Sequence, residues 1–296
     1  MRSGAVALAL AVALAACGSD VPVAPEPTGV GPAPLRALDN VELLNTLRDL
    51  FPDVKAELPP LPDDVPVAGF ENAVEGQRAS DVRVARIEAI AHVVADHATR
   101  DPSQVRALTG CDAVADAALA QRCAAALFDG VGRRIFRRPL ADEERARLSG
   151  KLEEWRRAID FAAAVRLTLA AMLQSPRFTH RVELAGPGAA PGALVALDGF
   201  AIASRLSFLL WESGPDDALL DAAARGELDG PDGVRAAAER MLADPRARRS
   251  LYGFHRQWLG LDRILLEEHA ARAPEVDAEW SRATRDSAAA ETRLFV

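Results

Sequence analysis

The sequence has few of the residues and motifs from which catalytic sites are usually recognised. Aromatic residues make up only 5% of the 296 residues, and lysine occurs only as Lys55 and Lys151. There is no Gly-x-Ser-x-Gly elbow, His-Glu-x-x-His zinc helix, P-loop or dinucleotide fingerprint, which counts against the common hydrolase and nucleotide-dependent enzyme classes. A formal net charge of −8 and a pI near 5.3 argue against a nucleic-acid partner. The catalytic residues, if the protein has any, therefore remain unknown at this level.

The N-terminus carries the most specific pattern. Arg2 precedes an apolar run at residues 5–16, too short to cross a bilayer core that needs about 20 helical residues, so residues 1–16 are predicted to be a signal peptide. Leu-Ala-Ala-Cys at 14–17 resembles the lipobox of bacterial lipoproteins, which implies diacylation of Cys17 and a membrane partner reached through lipid. Gly18 stands where inner-membrane retention signals often have Asp, favouring the outer membrane or the periplasmic face of the envelope. The alternative is an ordinary secretory signal beside a chance cysteine.

The two remaining cysteines, Cys111 and Cys123, are an even pair in an oxidising compartment. On one straight helix their Cα atoms would lie about 18 Å apart. A disulfide needs roughly 4.4 to 6.8 Å, so the predicted bridge requires a turn between them. Asp116 is expected to cap the helix that carries Cys123. No Cys-x-x-Cys or nearby His accompanies them, and no metal site is expected.

The rest of the chain reads as helices. Residues 17–35 are rich in Pro and Gly and predict a disordered tether behind the lipidated cysteine. Apolar residues recur at helical spacing, with Ser, Asp or Pro at the expected helix starts and Gly or Pro at the expected helix ends. This pattern predicts an all-α fold without a substantial sheet. A Gly- and Pro-rich stretch at 186–192 divides it into two helical subdomains, 36–185 and 193–296. Within these, single helices are expected over 117–138, 141–158, 161–174, 198–211, 231–243 and 277–296.

Three groups of motifs resemble a known family. The sequences LLNTLRDL at 43–50 and GFEN at 69–72 are similar to its DUF1587 module. The cysteine pair, RIFRRPL at 134–140 and LQSPRF at 173–178 resemble its DUF1595 module. The sequences ASRLSFLLW at 203–211, PDD at 215–217 and QWLGL at 257–261 resemble the planctomycete-type domain of unknown function DUF1592. The resemblance spans nearly all of the chain after the tether.

The resemblance implies an exported redox context. Members of this family usually continue into further modules, one of which carries a Cys-x-x-Cys-His haem-attachment motif. This sequence has no such motif, so no covalent haem is expected on it, and a c-type cytochrome domain or protein becomes a possible partner instead. The sequence reaches Val296 inside an expected amphipathic helix, so the DUF1592-like part is interpreted as truncated.

Several polar residues are weak candidates for ligand or proton binding. Glu88, His92 and Asp96 share one helical face, which is more simply a solvated face. His255 lies one turn from Trp258, where it could be a proton donor or axial ligand, or a histidine satisfied at the edge of the core.

An arginine cluster is the other candidate. Arg133, Arg134, Arg137 and Arg138 precede Pro139, and could bind a phosphate or carboxylate or pair with the acids at 142–144.

Three functions stay open. The preferred hypothesis is a helical module, without catalysis of its own, in a lipid-anchored redox assembly. The second is an enzyme acting on an extracellular polymer or small molecule. A cleft that brings His255, Arg205 and carboxylates together would favour this hypothesis. The third is a carbohydrate-binding surface protein that uses its few exposed aromatic residues. Trp211 with residues 215–217 could form such a platform, although a Trp that ends an apolar helix is more often packed in the core.

Overall fold

The protein is helical throughout the part of the chain that a computed structural model describes, namely residues 34–77, 80–111, 116–183 and 195–261 with positions 287, 290, 291 and 294. These residues fall in one compact unit. Their sheet consists of two two-residue strands, β1 (Arg36–Ala37) and β2 (His180–Arg181), paired antiparallel. The predicted all-α class is confirmed.

Some predicted features lie outside the described residues. They are the signal peptide, Cys17 with its tether, the boundary at 186–192, and nearly all of the final helix at 277–296. Within the described residues, no helix combines the length and apolar character needed to cross a membrane.

Helix α1 (Asn40–Leu50) begins at a capping box. The Asp39 carboxylate accepts a hydrogen bond from the Glu42 N–H at 2.8 Å, and the Glu42 carboxylate accepts one from the Asp39 N–H at 3.2 Å. The helix buries Leu43 and Leu47 against the larger of two clusters of buried apolar side chains. The cap and the leucine spacing are both readable in the sequence, and both act locally.

The larger cluster is enclosed by α1 and the helices that follow it, among which the helix Phe161–Leu173 packs against Asp142–Ala158 and Asp81–Ala98. A short 3-10 turn (Val74–Gly76) precedes them. The helices are α2 (Asp81–Ala98), α3 (Pro102–Thr109), α4 (Ala117–Leu127), α5 (Arg133–Phe136), α6 (Asp142–Ala158), α7 (Phe161–Leu173) and α8 (Pro176–Thr179). The sequence analysis missed α3, although Pro102 starts it and Gly110, in the left-handed region at φ 72°, ends it.

The single helix expected over 117–138 is wrong. A wide π-helical turn (Phe128–Gly132) follows α4, and Gly130 leaves helical geometry with φ −86° and ψ −106°. The chain re-enters helix for one turn and stops at Phe136, because Arg137 takes the left-handed conformation with φ 58°. A Cβ on Gly132 would lie 3.0 Å from the Met172 Cε atom, so this turn packs closely on α7. The interruption redirects the arginines that follow.

A disulfide joins α4 to the segment after α3. The Cα atoms of Cys111 and Cys123 lie 6.0 Å apart, the separation that the predicted bridge requires. The Asp116 carboxylate caps α4 by accepting the Leu119 N–H at 2.8 Å, as predicted. The bridge thus ties the second half of α4 to the chain that follows α3.

The smaller cluster belongs to the last four described helices. They are α9 (Gly199–Trp211), α10 (Asp217–Ala224), α11 (Pro231–Leu242) and α12 (Pro245–Trp258). Trp211 lies at its centre with no exposed surface, and its indole N–H donates to the Met241 carbonyl at 3.0 Å. A buried Trp whose N–H is satisfied packs as a core residue.

Helix α1 also holds the turn that follows α9. The Asn45 amide donates to the Glu212 carbonyl at 3.2 Å, and the Thr46 hydroxyl accepts the Gly214 N–H at 3.1 Å. The Asp49 carboxylate accepts the Ser213 hydroxyl at 2.7 Å. The polar residues of the LLNTLRDL motif therefore form hydrogen bonds with a segment more than 160 residues away, while its leucines pack in the core.

Candidate functional site

A cavity of about 560 Å³ opens beside β1, β2 and the start of α2. This volume falls within the roughly 300 to 1,000 Å³ typical of small-molecule sites. Most of its wall is aliphatic. Those side chains are Leu35, Leu38, Leu43, Val65, Val74, Val84 and Ile87.

An ion pair forms the polar part of the wall. Asp64 and Arg83 both line the cavity, with the Asp64 Oδ1 atom 3.3 Å from Arg83 Nη1. The other Asp64 oxygen accepts the Asn40 N–H at 2.7 Å, which ties the loop to the first turn of α1. Arg83 also donates to the Leu38 carbonyl at 2.9 Å. Burial raises the pKa of the Asp64 carboxyl above its usual value. The hydrogen bond from the Asn40 N–H and the charge of Arg83 lower this pKa, but burial has the larger effect.

His180 in β2 is the titratable group on another part of the wall. Burial, followed by the charges of Arg83 and Arg137, lowers its pKa, so the ring is neutral at pH 7. The Thr179 hydroxyl donates to the Ser175 carbonyl at 3.3 Å and lies 2.9 Å from His180 Nδ1. The ring and the hydroxyl therefore form a hydrogen-bonded pair at this edge of the cavity.

The cavity offers a small polar ligand group both donors and acceptors within a largely apolar enclosure. Its described acidic side chains are Asp63 and Asp64, and Arg83 is its described basic one. Because Arg83 is already paired with Asp64, these side chains favour an uncharged ligand over an anion. The sequence analysis selected neither Asp64 nor His180. The only local signal was a pair of acids among the prolines of the 52–76 loop.

Comparison with known proteins identifies the modules. Three family models match residues 36–100, 123–183 and 197–296, and they are described as proteins of unknown function DUF1587, DUF1595 and DUF1592. The chain therefore carries a DUF1587-like, a DUF1595-like and a DUF1592-like module, in that order. The order along the chain is the one that the sequence motifs predicted. No curated protein and no solved structure matches the chain significantly.

The cavity lies where the DUF1587 and DUF1595 modules meet. The Asp64–Arg83 pair belongs to the first module and His180 to the second. The strands β1 and β2 bring them together, with Ala37 opposite His180. Gln77 reinforces this junction, since its side-chain amide exchanges two hydrogen bonds of 2.8 Å with the backbone of Ala37.

The four arginines of the DUF1595 motif do not form one cluster. Arg133 pairs with Asp221 at 2.7 Å and with Asp217 at 3.2 Å, both in the DUF1592 module. Arg134 donates to the Asp49 carbonyl at 3.0 Å. The short helix α5 and the left-handed Arg137 turn the side chains in different directions.

The remaining two arginines have partners in the DUF1595 module. Arg137 is 4% exposed and donates to the Phe178 and Arg177 carbonyls at 3.1 and 2.8 Å. Arg138 alone makes a predicted pair across the turn, with Glu144 at 2.8 Å.

The other candidate residues have separate partners. Arg205 is held by Glu183 through two contacts of 2.6 Å, and His255 Nδ1 lies 2.8 Å from the Leu251 carbonyl one turn earlier. Glu88 and His92 are exposed, and Asp96 pairs with Arg166 at 3.3 Å. Within the described part of the chain no His, Cys, Asp and Glu side chains gather to hold a metal ion.

The DUF1592 module has an exposed aromatic face, but Trp211 is not part of it. Its side chain is buried, which confirms the packed interpretation of Trp211 and excludes the platform alternative. Instead, Phe254 and Trp258 of α12 are 49% and 62% exposed, with ring centroids 6.0 Å apart. Phe70 stacks on Phe254 at 5.7 Å, so GFEN and QWLGL, two motifs of the resemblance, meet at this face.

Glu42 of the DUF1587 module is buried, and Glu212 of the DUF1592 module is half-buried beside Asn45, whose amide donates to the Glu212 carbonyl. Burial, reinforced by the charge of Asp39, raises the pKa of both Glu42 and Glu212 to about 7. Arg36 partly opposes this at Glu42, where its guanidinium lies 2.6 Å from the carboxylate. Their titration therefore falls in the neutral range, although neither lines the cavity.

Proposed function

We propose that this protein is a lipid-anchored, exported module of a cell-envelope redox assembly, and that the cavity at Asp64, Arg83 and His180 binds an uncharged, largely apolar molecule. The single observation that carries the binding role is the cavity itself: about 560 Å³ with aliphatic walls and a compact polar group. The lipobox at Cys17 and the disulfide between two other cysteines support export. The family context supports a c-type cytochrome as partner.

Ligand binding can be tested with a neutral apolar fluorophore such as N-phenyl-1-naphthylamine. A bulky side chain at the cavity mouth, Val84→Trp, should remove saturable fluorescence enhancement. Val82→Trp is the matched control, since Val82 lies on the same helix and is 59% exposed, close to the 62% of Val84. Equal enhancement in both variants would show that the probe binds elsewhere.

Anchoring is tested separately by palmitate labelling in the native host. The wild-type protein should be labelled and Cys17→Ala should not be. Persistent label in the variant would refute lipid attachment at this position.

The redox partner is tested by purifying the lipid-anchored protein from native membranes. Denaturing electrophoresis with haem-peroxidase staining should detect a second polypeptide carrying covalent haem, at constant stoichiometry to this chain. Absence of any haem-stained band, with the ligand still bound, would reject the redox assembly and leave the binding role intact.

Carbohydrate binding is the second candidate, supported by the exposed Phe254 and Trp258 rings. Stacked exposed aromatic rings suit the apolar face of a sugar. Soluble envelope or plant oligosaccharides should then quench tryptophan fluorescence in the wild type and not in Trp258→Ala. Quenching that is unchanged in this variant would exclude the face as a sugar platform.

A further inference from the structure

A second, smaller cavity lies where the DUF1595 module meets the start of α9. It measures about 80 Å³, and its wall includes four arginines from two separate stretches of the DUF1595 module. Its charged lining side chains are Arg137, Arg138, Arg177, Arg181, Glu183 and Asp198. Positive charge therefore predominates around a space of small-ion size.

The two acids in this wall are already engaged. Glu183 is clamped by Arg205 through two contacts of 2.6 Å, and Asp198 caps α9 by accepting the Ala201 N–H at 2.7 Å. Outside the wall, Glu144 is shared between Arg138 at 2.8 Å and Arg177 at 3.0 Å. One carboxylate thus serves two guanidiniums.

The other two arginines are the most buried and the least compensated. Arg137 is 4% exposed and donates to three backbone carbonyls, those of Phe178, Arg177 and His180, which satisfy its N–H groups but carry no full negative charge. The carboxylate nearest to Arg181 is that of Glu42, at 3.9 Å. Both guanidiniums lie over the Phe208 ring, at 5.4 and 5.5 Å from its centroid. A buried cation is costly unless an anion or a dense set of acceptors replaces its water.

We propose that this cavity binds a phosphate group. A tetrahedral oxyanion presents several acceptor oxygens and up to two negative charges, which suits several guanidiniums converging on a small space. The group could belong to free phosphate or to the head of a membrane lipid. The proposal does not depend on the ligand of the larger cavity or on the redox partner.

The test is calorimetric titration of the purified full chain with inorganic phosphate. Saturable binding is expected, with affinity reduced at least about tenfold in Arg177→Gln and in Arg181→Gln, since each loses a charged hydrogen-bond donor. Arg177→Lys, which keeps the charge, should restore part of the affinity. Arg133→Gln is the matched control, because Arg133 lies in the same module but pairs with Asp217 and Asp221 outside the cavity.

Circular dichroism is used to check that each variant is folded. If Arg181→Gln does not fold, the affinity of Arg177→Gln for phosphate alone tests the proposal. A parallel arm measures binding to phosphatidylcholine vesicles with and without phosphatidic acid. Binding of free phosphate at millimolar concentration or below identifies a small-molecule site. Binding only to phosphatidic acid vesicles, sensitive to the same variants, identifies a lipid head group. No saturable binding in either arm, or equal binding by Arg133→Gln and the two cavity variants, overturns the proposal.

Discussion

Replacing Glu42 by Gln should flatten the dependence of folding stability on pH. Glu42 is 2% exposed, and burial reinforced by Asp39 raises its pKa from 4.5 to about 7. The folded protein therefore keeps the Glu42 proton at pH values where the unfolded chain has lost it. The stability that this group contributes is full below its unfolded pKa of 4.5 and declines as the pH rises toward 7.

The magnitude follows from the difference between the two pKa values. It corresponds to on the order of 3 kcal/mol at pH well above 7, with a slope of about 1.4 kcal/mol per pH unit around pH 6. Urea denaturation followed by circular dichroism, from about pH 5 to about pH 8, measures the slope directly. In Glu42→Gln the decline with pH should be smaller by that amount, whatever the variant's absolute stability.

Glu144→Gln is the matched control for this experiment. Burial opposes ionisation of Glu144, but hydrogen bonds from Arg138 and from the Ala141 N–H outweigh it, so its pKa lies below the ordinary value. Its contribution is lost only as the pH falls through that depressed pKa, which leaves the neutral range unaffected. Stability profiles of the wild type and Glu42→Gln that run parallel from pH 5 to 8 would refute the reasoning, because Glu42 would then be ionised throughout.

Three further predictions concern stability. Cys123→Ser should lower the free energy of unfolding by on the order of 3 kcal/mol, because a short covalent loop is lost. Peptide mapping without reductant checks the bridge, and two alkylatable thiols in protein produced under oxidising conditions would contradict it. Trp211→Ala should cost about 3 to 5 kcal/mol in urea denaturation, whereas the exposed Trp258→Ala should stay within about 0.5 kcal/mol; equal losses would mean that the burial difference does not govern stability. Thr46→Val should cost about 1 to 3 kcal/mol, because the Gly214 N–H loses its acceptor, and an unchanged unfolding midpoint would show that this contact between modules contributes nothing.

The elements that could be predicted from the sequence are those with local causes. The Asp39 and Asp198 caps, the Pro starts of α11 and α12, and the disulfide all depend on residues close to each other along the chain. Helical periodicity then decided the fold class, since no stretch alternates as a strand must. The family motifs likewise predicted the three modules and their order.

The candidate site depends on contacts that no local pattern contains. Asp64 was recognisable only as an acid in a proline-rich loop, and it gains a partner when α2 brings Arg83 within 3.3 Å. His180 reaches the same cavity because β2, which carries it, pairs with β1 and places it opposite Ala37. A strand of two residues is too short to leave a periodic pattern in the sequence. The raised pKa of Glu42 follows first from burial, which depends on the tertiary packing, and then from the charge of its sequence neighbour Asp39.

The sequence by itself determined where most helices begin, which cysteines could pair, and which family the modules belong to. Each of those depends on short-range geometry or on motif identity. Only the tertiary structure decided the direction of the arginines, because the break at Gly130 and the left-handed Arg137 send Arg133 toward the DUF1592 module and bury Arg137 in the DUF1595 module. A helical interpretation of 117–138 places these side chains on one surface. The interruption at Gly130 and the left-handed turn at Arg137 separate them, because each changes the direction of the backbone that carries the side chains.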